Sequence, residues 1–249
     1  GSTSVSNTNS VSALTSGVVT ATITEGDMTT LAGLTETGNA YTVTITDSSV
    51  VSSALNTLDG KTTVAVNAAA VTTLTGLAAD ANTAYASSGI SGLGNEAVTI
   101  SDTSLAVATL NTLDGNTSGA VNASTVTTLT GAAAAMNTAY ASNGITGLAN
   151  EAITLDDTSL AVATLNTLNG NTTGVVNAAT VTTLTGAAAA MNTAYTAAGN
   201  SEISNLGDEA ITLDDTSLAV ATLNTLDGNT SGAVNAGTIT TLTGGAAAM

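Results

Sequence analysis

Polar and apolar residues alternate in short stretches that recur along the chain. Residues 97–101 and 125–130 are the clearest of these stretches, and β-branched side chains occupy most of their positions. Alternation with a period of two predicts short strands with one buried face. Between the stretches, apolar residues fall three or four positions apart, as at Ala106, Leu110 and Leu113, which is typical of a short amphipathic helix. The pattern therefore predicts a regular succession of strand and helix.

Polar residues and glycines predict where the helices begin and end. Helices are expected over residues 102–113 and 130–140, with the side-chain oxygens of residues 102–104 capping the first helix. Asp114-Gly115 and Asn143-Gly144 should end these helices, because Gly and Asn tolerate positive φ. A strand, a helix, a Gly turn and a second strand form a crossover unit. Such units are expected to be right-handed, with parallel strands.

The same sequence returns at a fixed interval. Leu-Asn-Thr-Leu, followed by Asp-Gly or Asn-Gly, begins at Leu55, Leu110, Leu165 and Leu223, so the spacings are 55, 55 and 58 residues. The three additional residues of the last interval precede Glu209, and a surface loop is expected there.

Each repeat also divides into halves, because Leu110-Asn-Thr-Leu and Met136-Asn-Thr-Ala begin 26 residues apart. Periods of this size are typical of solenoids. The predicted fold class is a repeat solenoid: a right-handed parallel β-solenoid with short helices or helical turns in each coil. We expect about 26–29 residues per coil, a 55-residue double-coil repeat, and one parallel sheet formed by the stacked coils.

The repeats also set the expected domain organisation. Residues 1–17 are predicted to be a polar N-terminal segment and residues 18–249 a single continuous solenoid, with repeats at about 43–97, 98–152, 153–210 and, in part, 211–249. Gly1-Ser2 is typical of a cloning remnant and Met249 falls within a repeat. We therefore expect the chain to be an excerpt from a longer protein.

Composition excludes most kinds of chemistry. The 249 residues contain a single basic side chain, Lys61, with no His and no Cys, and the formal net charge is -17. Such a chain cannot neutralise nucleic-acid phosphates, and an anionic membrane would repel it. Without imidazole or thiol groups it has no zinc site, no disulfide and no common nucleophile. The sequence therefore predicts no enzyme, no cofactor, no nucleic-acid partner, no membrane insertion and no small-molecule substrate.

Asn and Tyr recur in phase with the repeat. One set comprises Asn56, Asn111, Asn166 and Asn224, a second Asn67, Asn122, Asn177 and Asn235, and a third Asn82, Asn137 and Asn192. Their amides could bond to one another along a stack, or each could cap its own turn, and both interpretations stay open. Tyr85, Tyr140 and Tyr195 form a further column. A packing role is favoured for it over a binding role, because one aromatic ring fills the largest gap in an Ala-rich layer.

Calcium is the one metal for which the sequence offers ligands. The acids stand on turns, at Asp59, Asp114 and Asp227 and in the pairs 156–157 and 214–215. Their spacing matches neither the EF-hand nor the Gly-Gly-x-Gly-x-Asp nonapeptide, and one copy of the turn carries Asn169 instead of Asp. Capping and turn formation explain these acids, and calcium binding is kept as an alternative.

Ranked threonines suggest a second alternative, an ice-binding face. Thr-x-Thr occurs at Thr20/Thr22/Thr24, Thr42/Thr44/Thr46, Thr73/Thr75, Thr128/Thr130, Thr183/Thr185 and Thr241/Thr243. The pairs appear only once in two coils, however, and Thr is also favoured on any half-exposed strand.

Glutamates before the strands suggest a third alternative, carboxylate catalysis. Glu96, Glu151 and Glu209 each precede an Ala that starts a predicted strand, with Asp residues a few positions later. Glycoside hydrolysis by two carboxylates requires one unique cleft, whereas this motif is present three times. The repetition therefore favours a structural role.

The repeat resembles a known kind of surface protein. Residues 54–63 (Ala-Leu-Asn-Thr-Leu-Asp-Gly-Lys-Thr-Thr), 66–76 (Val-Asn-Ala-Ala-Ala-Val-Thr-Thr-Leu-Thr-Gly) and 82–97 (Asn-Thr-Ala-Tyr-Ala-Ser-Ser-Gly-Ile-Ser-Gly-Leu-Gly-Asn-Glu-Ala) carry the resemblance. They are similar to the repeat arrays of very large cell-surface proteins of marine cyanobacteria and other bacteria, from about Val18 onward. The Leu-Asn-x-Leu-Asp-Gly portion is also similar to tail-fibre repeats of marine phages. The resemblance implies an extracellular or cell-surface protein concerned with adhesion or motility, and it carries over no catalytic residues.

Taken together, the sequence predicts a non-catalytic structural module: a spacer, stalk or coat segment of a large extracellular or cell-surface protein. A calcium-stiffened adhesin or an ice-binding module is the alternative. Because an interior repeat has no polar cap, the chain is expected to associate with itself end to end.

Overall fold

Short strands and short helices alternate along the whole described chain. The computed structural model describes residues 1–245, so the last four residues of the partial repeat 211–249 lie outside it. The helices within that range are α1 (Val5–Ser12), α2 (Met28–Leu31), α3 (Ser52–Asp59), α4 (Ala78–Ala86), α5 (Val107–Asn116), α6 (Ala133–Ala141), α7 (Val162–Asn171), α8 (Ala188–Gly199) and α9 (Val220–Asn229). None of these helices is long and apolar enough to cross a bilayer.

Strands of two to four residues separate the helices. They are β1 (Ser2–Thr3), β2 (Thr20–Ile23), β3 (Ala40–Thr42), β4 (Ser49–Val51), β5 (Val66–Asn67), β6 (Thr73–Gly76), β7 (Ile90–Ser91), β8 (Ala97–Ile100), β9 (Ser104–Ala106), β10 (Val121–Asn122), β11 (Thr128–Gly131), β12 (Ile145–Thr146), β13 (Ala152–Leu155), β14 (Ser159–Ala161), β15 (Val176–Asn177), β16 (Thr183–Gly186), β17 (Ile203–Ser204), β18 (Ala210–Leu213), β19 (Ser217–Ala219), β20 (Val234–Asn235) and β21 (Thr241–Thr243).

The strands pair in parallel in several sheets, which is the architecture of a repeat protein and is compatible with a solenoid. One compact unit comprises residues 1–102, 109–125 and 143–147 and holds the sheets β1-β2-β3, β12-β10-β8-β6-β4 and β5-β7. The other comprises residues 103–108 and 126–142 and the chain from Leu148 onward, with the sheets β17-β15-β13-β11-β9, β14-β16-β18-β20 and β19-β21.

The division into several sheets differs from the single sheet that the repeat predicted. Thr128 pairs with Ala152, 24 residues further on, whereas α6 and α7 begin 29 residues apart, at Ala133 and Val162. Paired strands are separated by fewer residues than consecutive helices are. Successive strands of one sheet therefore lie at changing positions relative to the helices. A sheet therefore ends after a few strands and a new one starts.

Each strand from β2 to β19 buries one residue or two alternate residues, as the alternation predicted. Leu74, Leu129 and Leu184 occupy equivalent positions in β6, β11 and β16 and have no exposed surface. The helices add Leu110 and Met136 to the same thin core, again fully buried. The core is therefore built from many similar layers of Ala, Val and Leu, held by hydrophobic burial.

Two details of the predicted helices are wrong. The expected helix over 102–113 begins later, because residues 104–106 form strand β9, which pairs with β11. Gly115 does not end this helix but lies within α5, which runs to Asn116. Positive φ occurs instead at positions such as Gly131, where strand β11 ends just before α6. Sheet pairing thus overrides the local helix signal at residues 104–106.

Residues 2–12 lie within the segment predicted to be a polar N-terminal arm, and they form β1 and α1. Strand β1 pairs with β2, and α1 buries Val5, Thr8 and Ser12. The side chain of Asn9 donates a hydrogen bond to the carbonyl of Gly33 at 2.7 Å. Polar side chains thus occupy buried positions at this end of the chain.

Candidate functional site

A cluster of four residues around a buried glutamate recurs three times. We call it the glutamate cluster. Its members are a Glu before a strand, a Tyr at the end of the preceding helix, a Thr and a Gly. The three copies are Glu96/Tyr85/Thr117/Gly119, Glu151/Tyr140/Thr172/Gly174 and Glu209/Tyr195/Thr230/Gly232. All three Glu side chains have no exposed surface.

Hydrogen bonds to the carboxylate hold each cluster together. The hydroxyl of Tyr140 donates to Glu151 Oε2 at 2.8 Å, and the corresponding distances are 2.9 Å for Tyr85 to Glu96 and 3.1 Å for Tyr195 to Glu209. A backbone N–H two residues before each Glu also donates to the carboxylate, at 3.0 Å from Ala149 in the second copy. The cluster thus joins the end of a helix to the start of the next long strand.

The Thr and the Gly complete the cluster from the following part of the chain. The hydroxyl of Thr172 donates to the backbone carbonyl of Glu151 at 2.8 Å and accepts the N–H of Gly174 at 2.9 Å. A Cβ atom at Gly174 would overlap that same carbonyl, so only Gly fits there. The turn at residues 172–174 is therefore packed directly on the backbone of the glutamate.

Burial is the main cause that raises the pKa of Tyr140, and its hydrogen bond to Glu151 raises it further. The pKa values of Tyr85 and Tyr195 are raised in the same direction, again chiefly by burial. In all three, a bond to the Thr of the cluster works the other way. The phenols therefore stay protonated and can donate to the carboxylates over the whole neutral range.

The enclosure of the glutamates bears directly on carboxylate catalysis. In the first and third clusters, Glu96 Oε1 and Glu209 Oε1 are buried and have no hydrogen-bond partner in the described part of the chain. A general acid or base must come within hydrogen-bond reach of its substrate. The three side chains have no exposed surface, and each bonds to groups from other segments of the chain.

The chain before the first repeat carries a different residue pair at the equivalent place. Tyr41 stands 55 residues before Glu96 and is fully buried, while Thr30 stands 55 residues before Tyr85. Thr62 still donates to the backbone carbonyl of Tyr41, at 2.7 Å, as the Thr of each glutamate cluster does. One aromatic ring at the glutamate position thus replaces the Glu–Tyr pair.

Five of the Asn residues in the helices donate a hydrogen bond to the next helix along the chain. Asn56 donates to the carbonyl of Asp80 at 2.9 Å, and Asn166 to that of Ala190 at 2.9 Å. Asn111 and Asn224 occupy the equivalent places in α5 and α9. The third set follows the same scheme, with donors Asn82, Asn137 and Asn192 and acceptor carbonyls Thr109, Thr164 and Thr222. These amides therefore tie consecutive helices together through backbone acceptors.

The second Asn set lies in turns after short strands. The side-chain oxygens of Asn67, Asn122, Asn177 and Asn235 accept the N–H two residues further on, at 3.0 to 3.1 Å. This is the geometry of an Asx turn, in which the amide satisfies its own local backbone.

The Asp residues after the strands cap helices, but not the helices that follow them. Asp157 Oδ2 accepts the N–H of Ala133, at the start of α6, at 2.7 Å. The equivalent pairs are Asp47 with Met28, Asp102 with Ala78, and Asp215 with Ala188, at 2.6 to 2.8 Å. The expectation that residues 102–104 cap the following helix is therefore wrong for Asp102. Its carboxylate reaches back to α4, whose own N-cap residue offers no side-chain bond.

The acids considered for calcium do not come together. Within residues 1–245 no three Asp or Glu side chains form a group that could hold a metal ion. Asp59 accepts a hydrogen bond from the hydroxyl of Ser87 at 2.6 Å, and Asp227 is exposed on helix α9. Asn169, at the turn that lacks the acid, donates to Glu202 at 3.1 Å.

The threonines considered for ice binding lie in rows that also contain other residue types. Thr130 pairs with Thr154, which pairs in turn with Asn177. In another row of the same sheet, Ser104 pairs with Thr128, and Thr128 pairs with Ala152. Each sheet thus presents a mixed row of Thr, Asn, Ser and Ala rather than a regular array of threonines.

The Glu–Tyr contact is the feature that sequence reasoning missed. Tyr and Glu recur 11 residues apart in two copies and 14 in the third, which carries the three-residue insertion. This constant relation is the signal that could have revealed the pair.

Comparison with known proteins adds no identity to this geometry. No protein-family model matches the chain. Neither a curated protein nor a solved structure is significantly similar to it. Function is therefore inferred from the contacts of the molecule itself.

Proposed function

We propose that the chain is a non-catalytic structural repeat module, a spacer, stalk or coat segment of a large extracellular or cell-surface protein. In this proposal it is a right-handed parallel β-solenoid with about 26–29 residues per coil and a 55-residue double-coil repeat. The observation that carries the proposal is the glutamate cluster, which is built three times from the same residues with its glutamate fully buried each time. A site for chemistry is unique and open, whereas a structural joint is repeated and closed.

The placement of charge supports the same function. The net charge of -17 arises from acids distributed over the repeats, several of which cap helix N-termini. Carboxylates there interact favourably with the helix dipole. Like charges along a long array oppose lateral aggregation and keep it soluble. Acidity thus serves solubility and spacing in this proposal, and no cationic ligand is required.

The resemblance to repeat arrays of large surface proteins of marine cyanobacteria and other bacteria is consistent with a place outside the cell. In such an array the natural partner of a repeat is another repeat. We therefore include end-to-end self-association in the proposal.

Antibody labelling of intact cells that produce the parent protein tests the location, and sedimentation of the purified chain at increasing concentration tests self-association. We expect surface labelling and a concentration-dependent rise in mass. Labelling only after permeabilisation, with a monomer at every concentration, would contradict the proposal. A rise in melting temperature with calcium would instead favour the calcium-stiffened adhesin, because a ligand bound only by the folded state stabilises it. Thermal hysteresis would favour the ice-binding module.

A further inference from the structure

The last described strands expose residues that are buried in every earlier repeat. Leu242, in β21, is 48% exposed, whereas its equivalents Leu74, Leu129 and Leu184 are fully buried. Val234, in β20, is half-buried, while its equivalent Val176 has no exposed surface. A continuous piece of core is therefore left open beside β20 and β21.

Both strands also lack a partner on the same side. Within residues 1–245, β21 pairs only with β19, and β20 pairs only with β18. Their equivalents in the preceding repeat are paired on both sides: β16 lies between β14 and β18, and β15 lies between β13 and β17. An open parallel edge with exposed apolar residues is a template for strand addition.

The preceding repeat shows what chemistry covers such an edge. A single segment of the chain, residues 203–215, supplies both partner strands there. In it, Ile203 pairs with Val176, and Ile211 pairs with Leu184. The backbone N–H of Ala210 donates to the carbonyl of Thr182 at 2.9 Å, which fixes the register. Its sequence is Ile-Ser-Asn-Leu-Gly-Asp-Glu-Ala-Ile-Thr-Leu-Asp-Asp.

The first helix of the chain buries different residues from the helices of the later repeats. Helix α1 places Thr8 and Ser12 at buried positions, whereas α3 buries Leu55 and Leu58. Within residues 1–245 strand β1 also pairs on one side only, and Val11 and Leu14 of this first segment are exposed. The edge of β20 and β21 differs because its exposed apolar residues are ones that every earlier repeat buries.

We propose that the open edge of β20 and β21 binds, by parallel strand addition, the segment equivalent to residues 203–215 from a further copy of the repeat. In this arrangement the incoming Ile203 covers Val234, and the incoming Ile211 covers Leu242. This inference deepens the proposed end-to-end association and rests on it. It names one edge and one partner sequence.

The test attaches a second copy of residues 203–215 to the C-terminus of the full chain through a flexible Gly/Ser linker. Tethering raises the effective concentration of the segment to the order of millimolar, so a weak contact is not missed. Amide hydrogen exchange at residues 241–243 is the readout. We expect it to slow about tenfold or more, since these amides become part of a paired and covered strand.

Two variants serve as controls. Ile211→Glu in the tethered segment places a charge against Leu242 of the chain. Leu242→Glu in the chain places a charge against Ile211 of the tethered segment. Both should abolish the protection, while exchange in β16 stays unchanged as evidence of folding. Equal protection by the Ile211→Glu segment, or none by the matched one, would overturn the proposal.

Protection of residues 241–243 that appears without any tethered segment and grows with protein concentration is the result expected if the end-to-end association uses this edge, and Leu242→Glu should remove that protection as well. Sedimentation of the unmodified chain separates this inference from the broader function. If the chain associates but the segment gives no protection, only the inference fails.

Discussion

At the scale of single residues, the molecule is organised around buried carboxyl groups. A carboxylate removed from water is costly unless hydrogen-bond donors replace the lost solvent. Each Glu of the three clusters receives a phenol O–H and at least one backbone N–H on its carboxylate, and a Thr hydroxyl on its main-chain carbonyl. The carboxyl group is thus fixed in one geometry, and a change at the Glu leaves several donors without an acceptor.

Replacement of Glu151 tests this dependence. Glu151→Ala removes the acceptor of the half-buried Tyr140 hydroxyl and of the Ala149 N–H, which we expect to cost about 1–3 kcal/mol of unfolding free energy. Glu151→Gln keeps one acceptor oxygen and should cost less. Chemical denaturation measures both, with Glu36→Ala at an exposed position as the control. Equal stability of Glu151→Ala and the control would contradict the role of the cluster.

The raised tyrosine pKa values predict a loss of stability in alkali. Burial raises the pKa of Tyr140 above its ordinary value of 10.0, so the folded chain holds the phenol proton more tightly than the unfolded chain does. The contribution is fully present below pH 10 and decreases as pH rises above it. Denaturation midpoints measured from pH 8 to 11 should fall. The midpoint of the triple variant Tyr85→Phe, Tyr140→Phe, Tyr195→Phe should fall less over the same pH range. If its midpoint depends on pH as strongly as that of the wild type, other groups are responsible.

At the scale of elements, helices are capped by residues distant in sequence. Asp157 satisfies the first turn of α6 although 24 residues separate it from Ala133, and the N-cap residue Ala132 offers no side-chain oxygen. Formation of the helix N-terminus thus depends on the strand that pairs beside it. Helix and sheet are therefore expected to form together.

Substitution of Asp157 distinguishes this distant cap from a local one. We expect Asp157→Ala to cost about 1 kcal/mol, the usual loss for a helix cap. Faster amide exchange should appear at the start of α6, not at the start of α7, which follows Asp157 in sequence. Asp156→Ala is the matched control, because its exposed side chain should contribute little. Faster exchange confined to α7 would contradict the distant cap.

Two glycines of the same repeat should respond in opposite ways to alanine. At Gly174 a Cβ would overlap the backbone of Glu151, so Gly174→Ala is expected to cost about 2 kcal/mol or more. At Gly170, inside α7, a Cβ meets nothing within 4 Å, and Gly170→Ala should raise stability by up to about 1 kcal/mol. Thermal unfolding of both variants gives the comparison. If Gly174→Ala matches the wild type, the turn does not pack as described.

The sequence predicts features that depend on neighbouring residues, whereas contacts between residues far apart in the chain were found only in the structure. Alternation identified the strand at residues 97–100, because its buried face is a local property. The contact of Tyr140 with Glu151 and the cap from Asp157 depend instead on which strands pair. Thr128 pairs with Ala152, 24 residues further on, and this spacing of paired strands cannot be read from the 55-residue period of the sequence. For the same reason residues 104–106 were predicted as helix and are a strand.

At the scale of the whole molecule, stability is expected to be a sum over neighbouring repeats. Among the described residues, most long-range contacts join strands and helices that follow one another within about one repeat. In such a chain a repeat can be removed or added without loss of the fold, provided that the phase is kept. An enzyme domain with one central core does not tolerate this change. Repeat number is therefore the most direct probe of the structural role.

Deletion of residues 98–152 removes one 55-residue repeat and joins Ala97 to Ile153, which restores the Ala-Ile sequence of a natural repeat boundary. Deletion of residues 98–139 is the control, because it removes a shorter stretch out of phase and joins a strand to the end of a helix. Circular dichroism and thermal unfolding of both chains test the account. We expect the in-phase deletion to keep the same proportion of helix and strand, with cooperative unfolding at a lower temperature, and the out-of-phase deletion to lose it. An in-phase deletion that is unfolded or aggregated would contradict the claim that this protein is an array of equivalent structural repeats.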